Sequence, residues 1–363
     1  MRELADQIGG GDPSAVVFFC SAAYDLRELE AQLGDRFADA NVFGCTTAGE
    51  LALDGYAKGA LVGMSFPRSE FTTALEHFDD LGAASLVQIC EKVRSLVLRL
   101  HILAPAMDET NTFALLLIDG LAGIEETALS AIVRELGNIA LVGGSAGDNL
   151  AFHETNVYAD GAFRAGRAVL CLLHTARPFE AFRTQHITSL DTKMVVTEAD
   201  PARRVVTEIN AEPAAAEYAR LSGIAGQELD EIVLATHPVC VRVGGSDYVR
   251  SIRSVNEDQS LTFYCAIDEG IVLSPGVSTD IVADLNRLFD RLRGTLGAPS
   301  AVLGFDCIFR RIELQHRNLT DLVSTILAAN KVVGFSTYGE QFKAMHLNQT
   351  FSGVAFGADA ARR

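Results

Sequence analysis

The chain has 363 residues, 48% of them hydrophobic, and a formal net charge of −17. That length accommodates two or three domains with a substantial core. The acidic balance argues against nucleic acid or an anionic membrane as partner, because phosphate binding needs clustered Lys and Arg.

No apolar run approaches the roughly 20 residues of a spanning helix, and Met1–Asp12 holds no apolar signal region. A cytoplasmic location is therefore expected. Seven cysteines (Cys20, Cys45, Cys90, Cys171, Cys240, Cys265, Cys307) form no CxxC pair and lie at least 25 positions apart. They offer neither a zinc knuckle nor a disulfide framework, and most behave as small hydrophobes within apolar strands.

In chain order, the apolar run Val16–Cys20 predicts a strand. A helix follows with Leu26, Leu29, Leu33 and Phe37 on one face, opened by an Asp25/Glu28 capping box. Then come the turn Val42-Phe43-Gly44-Cys45-Thr46-Thr47-Ala48-Gly49-Glu50 and the strand Ala60–Phe66. A long amphipathic helix is predicted over Leu86–Leu100. The order then recurs: strand Ala114–Ile118, a helix with Leu129, Ile132, Val133 and Leu136 inward, the turn Leu141–Asp148 and the strand Ala168–Leu173.

Next, Met194–Glu198 and Arg204–Ile209 read as a hairpin around Asp200-Pro201, and Pro213–Leu221 as a short helix. Glu231–Ala235, Val239–Val243, Tyr248–Val255 and Leu261–Ile267 read as strands of an antiparallel meander, parted by Gly244–Asp247 and Asn256–Asp258. A second long helix, Ile281–Leu296, precedes a third copy of the unit. This copy comprises strand Val302–Cys307, a helix with Leu319, Leu322, Val323, Ile326 and Leu327 inward, the turn Val332–Glu340 and the strand Phe351–Phe356.

Strand, helix, V-x-G-x-[ST]-x-x-G-[DE] and strand thus occur three times, the middle motif one residue shorter, with 26, 27 and 30 positions between strand and motif. Such spacing fits duplicated βαβ-type units. The fold class expected is α/β (α+β), with repeated units in mixed sheets and an antiparallel β-meander in the carboxyl-terminal half. The boundary is placed near residue 190, giving domains 1–190 and 191–363.

Three kinds of candidate site stand out. Gly143-Gly144-Ser145-Ala146-Gly147 matches the G-x-S-x-G nucleophile elbow of serine hydrolases, with His186 and Asp191 downstream. The elbow must open a helix, however, and Asp148-Asn149-Leu150 leads toward a strand. Thr46 and Ser336 occupy the place of Ser145 in the other copies, so local backbone bonding accounts for all three hydroxyls. Alternatively, Cys45, Thr46, Thr47, Gly143, Gly144, Ser145 and Ser336 present amides and hydroxyls to a small ligand at the carboxyl ends of strands. No Lys follows the glycines, which disfavours nucleotide.

The eight histidines are scattered singly and form no closed metal site. A haem needs only one imidazole in an apolar pocket. His237, in Ala235-Thr236-His237-Pro238-Val239, is the first candidate axial ligand, His186 the second and His346 the third. A lone His in a corner like that of His237 is more often a hydrogen-bonded structural residue.

Phe43–Glu50, Leu117-Ile118-Asp119-Gly120, Val142–Asp148, Ile209-Asn210-Ala211-Glu212-Pro213-Ala214 and Val333–Glu340 with Asn348-Gln349-Thr350 resemble the signatures of the FIST amino-terminal and carboxyl-terminal domains. The resemblance runs from about residue 15 to 357. Ala211 stands where the family's turn carries Gly. The likeness implies a non-enzymatic bacterial sensory module that reports to a histidine kinase, a cyclic-di-GMP enzyme or a chemoreceptor. It is closest in kind to the nitric-oxide-sensing haem proteins of the family (NosP-type), with haem b as the implied cofactor. A sensor of a small organic ligand such as an amino acid is the alternative.

Overall fold

The computed structural model describes residues 11–37 and 39–358. Most of the amino-terminal stretch discussed above, Met1–Gly10, lies outside them. The mixed α/β class and the antiparallel carboxyl-terminal sheet expected from the sequence are what the structure shows.

The first unit comprises β1 (Pro13–Ser21), α1 (Leu26–Arg36), β2 (Asn41–Thr47), the hairpin β3 (Glu50–Ala52) and β4 (Gly55–Ala57), then β5 (Leu61–Pro67) and β6 (Phe71–Phe78). After α2 (Leu86–Leu103) the second unit has β7 (Thr112–Ile118), α3 (Glu125–Leu136) and β8 (Ala140–Ser145). It continues with the hairpin β9 (Val157–Ala159) and β10 (Ala162–Arg164), then β11 (Ala168–Thr175) and β12 (Phe179–Thr184).

The meander contains β13 (Ile187–Ser189), β14 (Met194–Asp200), β15 (Val205–Ile209), β16 (Glu212–Pro213), α4 (Ala214–Leu221) and α5 (Glu231–Thr236). Its remaining strands are β17 (Val239–Val243), β18 (Ser246–Arg250), β19 (Ile252–Val255), β20 (Leu261–Phe263) and β21 (Val272–Ser278). The chain finishes with α6 (Ile281–Leu296) and the third unit: β22 (Ala301–Cys307), α7 (Ile308–His316), α8 (Thr320–Ala329), β23 (Val332–Thr337), the hairpin β24 (Glu340–Phe342) and β25 (Met345–Leu347), and β26 (Phe351–Phe356).

Each unit places its first strand between a parallel neighbour and an antiparallel one: β1 between β2 and β5, β7 between β8 and β11, β22 between β23 and β26. The hairpin after each motif then leaves its own unit. The β3–β4 hairpin adds to β23 of the third sheet, β24–β25 adds to β8 of the second, and β9–β10 adds to β2 of the first. Each unit therefore lends one edge and borrows another, in a closed cycle.

Side-chain alternation sorts the core. Val17, Phe19, Leu115, Leu117, Leu303 and Phe305 point inward to one cluster shared by all three sheets, where Phe19 stacks on Phe335 with ring centroids 4.6 Å apart. The intervening residues face the covering helices. Phe18 and Cys20 meet α1, Ala114 and Leu116 meet α2 and α3, and Val302 meets α6 and α8. Strands buried on both faces explain the continuous apolar runs. Gly44, Gly143 and Gly334 hold the same place in the motif. A Cβ at any of them would overlap the carbonyl oxygen of Phe18, Leu116 or Gly304 on the neighbouring strand.

Several local expectations are corrected. Glu231–Ala235 is helical, because the Asp230 carboxylate caps the Val233 amide at 2.8 Å; a five-residue apolar run does not decide between helix and strand by itself. Tyr248–Val255 breaks at Ser251 into β18 and β19, and the strand from Leu261 stops at Phe263. Leu322 lies on the outer face of α8, half exposed. Asp25 caps the amides of Arg27 and Glu28, while the Glu28 carboxylate accepts from Gln32 rather than closing a capping box.

Candidate functional site

The three motif turns meet and bond to one another in a ring. Ala48 N–H donates to the Ser336 carbonyl at 3.0 Å, Gly147 to Thr46 at 3.0 Å, and Tyr338 to Ser145 at 3.2 Å. These are equivalent positions in the three copies, so a cyclic hub joins the carboxyl ends of β2, β8 and β23.

In two copies the closing acid latches its own turn. Glu50 accepts from the Thr47 hydroxyl at 2.5 Å and from the Ala60 amide at 3.0 Å; Glu340 accepts from the Thr337 hydroxyl and from the Thr350 amide at 3.2 Å. All four side chains are buried. Burial raises both carboxyls, Glu340 to about 8.

The middle copy has Ala146 in place of the hydroxyl and is one residue shorter, and it departs from the pattern. Asp148 instead accepts from the amides of Phe152 (3.0 Å), His153 (2.7 Å) and Glu154 (3.1 Å), and from the Tyr338 phenol. The loop so gathered puts Asn149, Leu150 and Phe152 at φ of 58°, 67° and 52°. The left-handed region is unfavourable for Leu and Phe. Phe152 stacks on Tyr338 at 5.2 Å, and Tyr264 of the meander stands 5.9 Å from Phe152 and 6.0 Å from Tyr338. Hub and meander share one apolar cluster here, with Ala48, Tyr338, Cys307 and Phe309 among its members. This seam is the place where the strained loop, the hub and the meander converge.

Behind the seam, α7 carries a buried ionic chain. Arg310 Nε donates to Asp306 Oδ1 at 2.6 Å, and its Nη1 donates to His186 Nδ1 at 2.8 Å. His186 Nε2 meets Glu313 Oε2 at 2.7 Å, and Arg317 Nη1 reaches Glu313 at 2.8 Å. Tyr56 donates to Asp306 from the other end. Burial pulls the Glu313 carboxyl upward, but the bond from His186 and its neighbours hold it down at about 2.

The residues singled out from the sequence fall in separate places. Thr46, Thr47, Ser145 and Ser336 lie in the hub, wholly buried. Thr46 Oγ1 accepts from the Asn156 amide at 3.0 Å, and Ser145 Oγ accepts from Gln341 Nε2 at 2.9 Å. Among the described residues Ser336 Oγ has no partner, because Leu51 stands where the third hairpin has Gln341. Cys45 faces the central core, with its thiol raised by burial. Gly143 and Gly144 are packed against Leu116 and Thr337. No helix follows Ser145, and the nearby His346 Nδ1 meets the Gln341 amide at 3.2 Å rather than the serine.

His237 caps the carboxyl end of α5, half-buried, with Nδ1 3.1 Å from the Val233 carbonyl oxygen. A carbonyl only accepts, so this contact places the ring hydrogen on Nδ1 and the lone pair on Nε2, the arrangement an axial imidazole needs. His186 does not fit that role, since both ring nitrogens are committed to Arg310 and Glu313. His346 is fully buried, and burial holds it down at about 4. Among the described residues no group of three or more His, Cys, Asp or Glu is placed to hold a metal ion, and no helix is long and apolar enough to cross a membrane.

Sequence reasoning missed Phe152, Arg253, Tyr264, Arg310 and Tyr338 as a set. The one available signal was the shortened middle motif, which marks where the repeat gives way. Cavities of about 430 and 490 Å³ open elsewhere, beside Phe78 and Lys92 and beside Leu33 and Tyr158.

A family model described as the FIST N domain matches residues 14–212, and one described as the FIST C domain matches residues 214–343. A search of curated proteins finds no match. The first match alone spans more than half of the chain, and the chain belongs to the FIST family of sensory signal-transduction proteins.

Proposed function

We propose that this FIST chain is a sensor whose small organic ligand, of the amino-acid kind, is read at the seam between hub and meander, and that it is not an enzyme. The observation that carries this reading is the strained loop 148–154, held by the Asp148 carboxylate and the Tyr338 phenol against an aromatic wall. Backbone strain of about 1–3 kcal/mol per residue persists only where the surroundings over-determine it, and it concentrates at binding and switch sites. A ligand that favours one arrangement of this loop shifts the population toward it. The partner that reads the shift is a histidine kinase or a cyclic-di-GMP enzyme. Thermal denaturation across a metabolite panel tests the reading: a compound that raises the melting point should lose its effect in Phe152→Ala. A panel without effect, or effects indifferent to that change, removes the seam as the site.

The second reading is a haem-based nitric oxide sensor, favoured by the orientation of His237 with Nε2 free of the Val233 contact. Haem b would supply the iron that takes NO; the chain would supply the imidazole of His237. Protein reconstituted with haem should show a Soret band that shifts with NO and weakens in His237→Ala. An identical spectrum in that variant rules out the assignment.

A further inference from the structure

We propose that the seam takes a small organic carboxylate, received by the guanidinium of Arg253 and the hydroxyl of Tyr264. This rests on the seam being the ligand site and names what the ligand must carry.

Arg253 lies on β19 where the register with β20 shifts, between the pairs Ile252↔Phe263 and Ser254↔Thr262. A bulge leaves its extra residue outside the ladder and re-aims its side chain, which is why bulges recur beside binding sites. Here the side chain crosses to the strained loop and lays its guanidinium carbon 4.7 Å from the centroid of the Phe152 ring. Stacking fixes the plane of the guanidinium but uses none of its N–H groups, and among the described residues they meet no hydrogen-bond or ion-pair partner. The Asp148 carboxylate and the Tyr338 phenol that gather this loop are fully engaged, whereas the stacked cation keeps its donor edge idle.

Tyr264 supplies the second donor. The residue is 7% exposed, and among the described residues its buried hydroxyl meets no partner. Buried polar groups are almost always satisfied, so an idle hydroxyl calls for an occupant. Its ring packs edge-on to Phe309 at 5.3 Å and lies within 6.0 Å of Tyr338, which fixes the direction of the oxygen. Burial raises the phenol, Tyr338, Cys307 and Glu231 add to the rise, and the cation of Arg253 draws it down.

The planar cationic fork can only donate, and the unpartnered phenol O–H can donate beside it. Their common complement is an anionic acceptor, and the geometry of a guanidinium edge matches a single carboxylate. Phe152 and Tyr338 then face the ligand's apolar part.

The test uses the full chain and matched probes: the proteinogenic amino acids and benzoate, each beside its own carboxamide, followed by melting temperature and titration calorimetry. The acid of a binding pair should bind at least tenfold more tightly than its amide. Arg253→Gln should abolish that preference, Arg253→Lys should keep part of it, and Tyr264→Phe should weaken the acid alone. Acid and amide binding equally, with both lost in Phe152→Ala, overturns the carboxylate and leaves the seam standing. An undiminished acid preference in Arg253→Gln also overturns it. No binding by any probe to the unaltered protein sinks the carboxylate and the seam together. Melting curves of each variant without probe separate lost recognition from lost folding, and the Lys variant keeps the stacked cation if the Gln variant is unstable.

Discussion

Tyr338 donates its phenol to Asp148 across 190 positions of the chain, and the same oxygen accepts the Leu150 amide at 2.7 Å. One hydroxyl therefore joins the third repeat to the loop that replaces the latch of the second. Tyr338→Phe keeps the ring stacked on Phe152 and removes only these bonds and the one accepted from the Asp148 amide at 3.3 Å. It should lower stability by about 1–3 kcal/mol, the range for leaving buried groups unpaired. Urea denaturation reads the loss, and hydrogen exchange should quicken selectively at 149–154. Unchanged exchange there would show that the loop holds itself.

The repeated glycines give a sharper contrast. Gly334→Ala places a methyl against the Gly304 carbonyl and should cost about 3 kcal/mol or more through forced strand separation. Gly294, late in α6, has open space around its missing Cβ. There the same substitution should stabilise by about 0.5–1 kcal/mol through the unfolded chain's entropy. Equal effects at the two sites, read by melting temperature, would mean the sheets can spread to admit a methyl.

The pH dependence follows from groups shifted in opposite senses. Burial pushes Glu340 up to about 8 from an ordinary 4.5, so the folded state keeps a proton that the unfolded chain releases. Its contribution is complete below pH 4.5 and disappears as pH rises through 8. Burial holds His346 down at about 4 from 6.5, so its contribution is complete above pH 6.5 and disappears as pH falls through 4. Glu340→Gln should flatten the decline in urea midpoint as pH rises from 5 to 8, and His346→Gln the decline as pH falls from 6 to 4. A wild-type slope retained in Glu340→Gln means that Glu340 is ionised within the fold.

Arg310 and Asp306, each about 1% exposed, form a buried pair at 2.6 Å. Removing the cation alone in Arg310→Met strands a carboxylate and should cost about 3–5 kcal/mol. The double variant Asp306→Asn, Arg310→Met should recover most of that, since an uncharged pair needs no counter-ion. A double variant as unstable as the single one would place the cost in packing rather than charge.

The repeats and their motif were legible because each copy repeats a Gly under a neighbouring carbonyl and a buried hydroxyl two residues on, and two of the three add an acid that latches the turn. Gly44, Gly143 and Gly334 satisfy one constraint three times. The helix Ile308–His316 was not legible. Its residues Arg310, Arg311 and Glu313 are buried against polar partners from elsewhere in the chain, His186 for Arg310 and Glu313 and the Ala57 carbonyl for Arg311, so burial there does not follow an apolar stripe. The exchange of hairpins was hidden for a related reason, as pairing Glu50 with Phe335 is decided by packing and not by local pattern. The seam was hidden most completely. Phe152, Arg253 and Tyr338 come from three separate regions, and only the missing residue in the middle motif hinted that one turn had been released from the common design.

The cycle of lent hairpins has a consequence for how the molecule can respond. A chain of three linked parts has free ends at which motion can begin, and a closed ring has none. Because β3–β4, β9–β10 and β24–β25 each complete another unit's sheet, no unit can shift without carrying the edge of a second, which in turn holds the third. Three repeated units thus answer as one body. A disturbance at the single unlatched turn reaches every sheet without needing a path of its own.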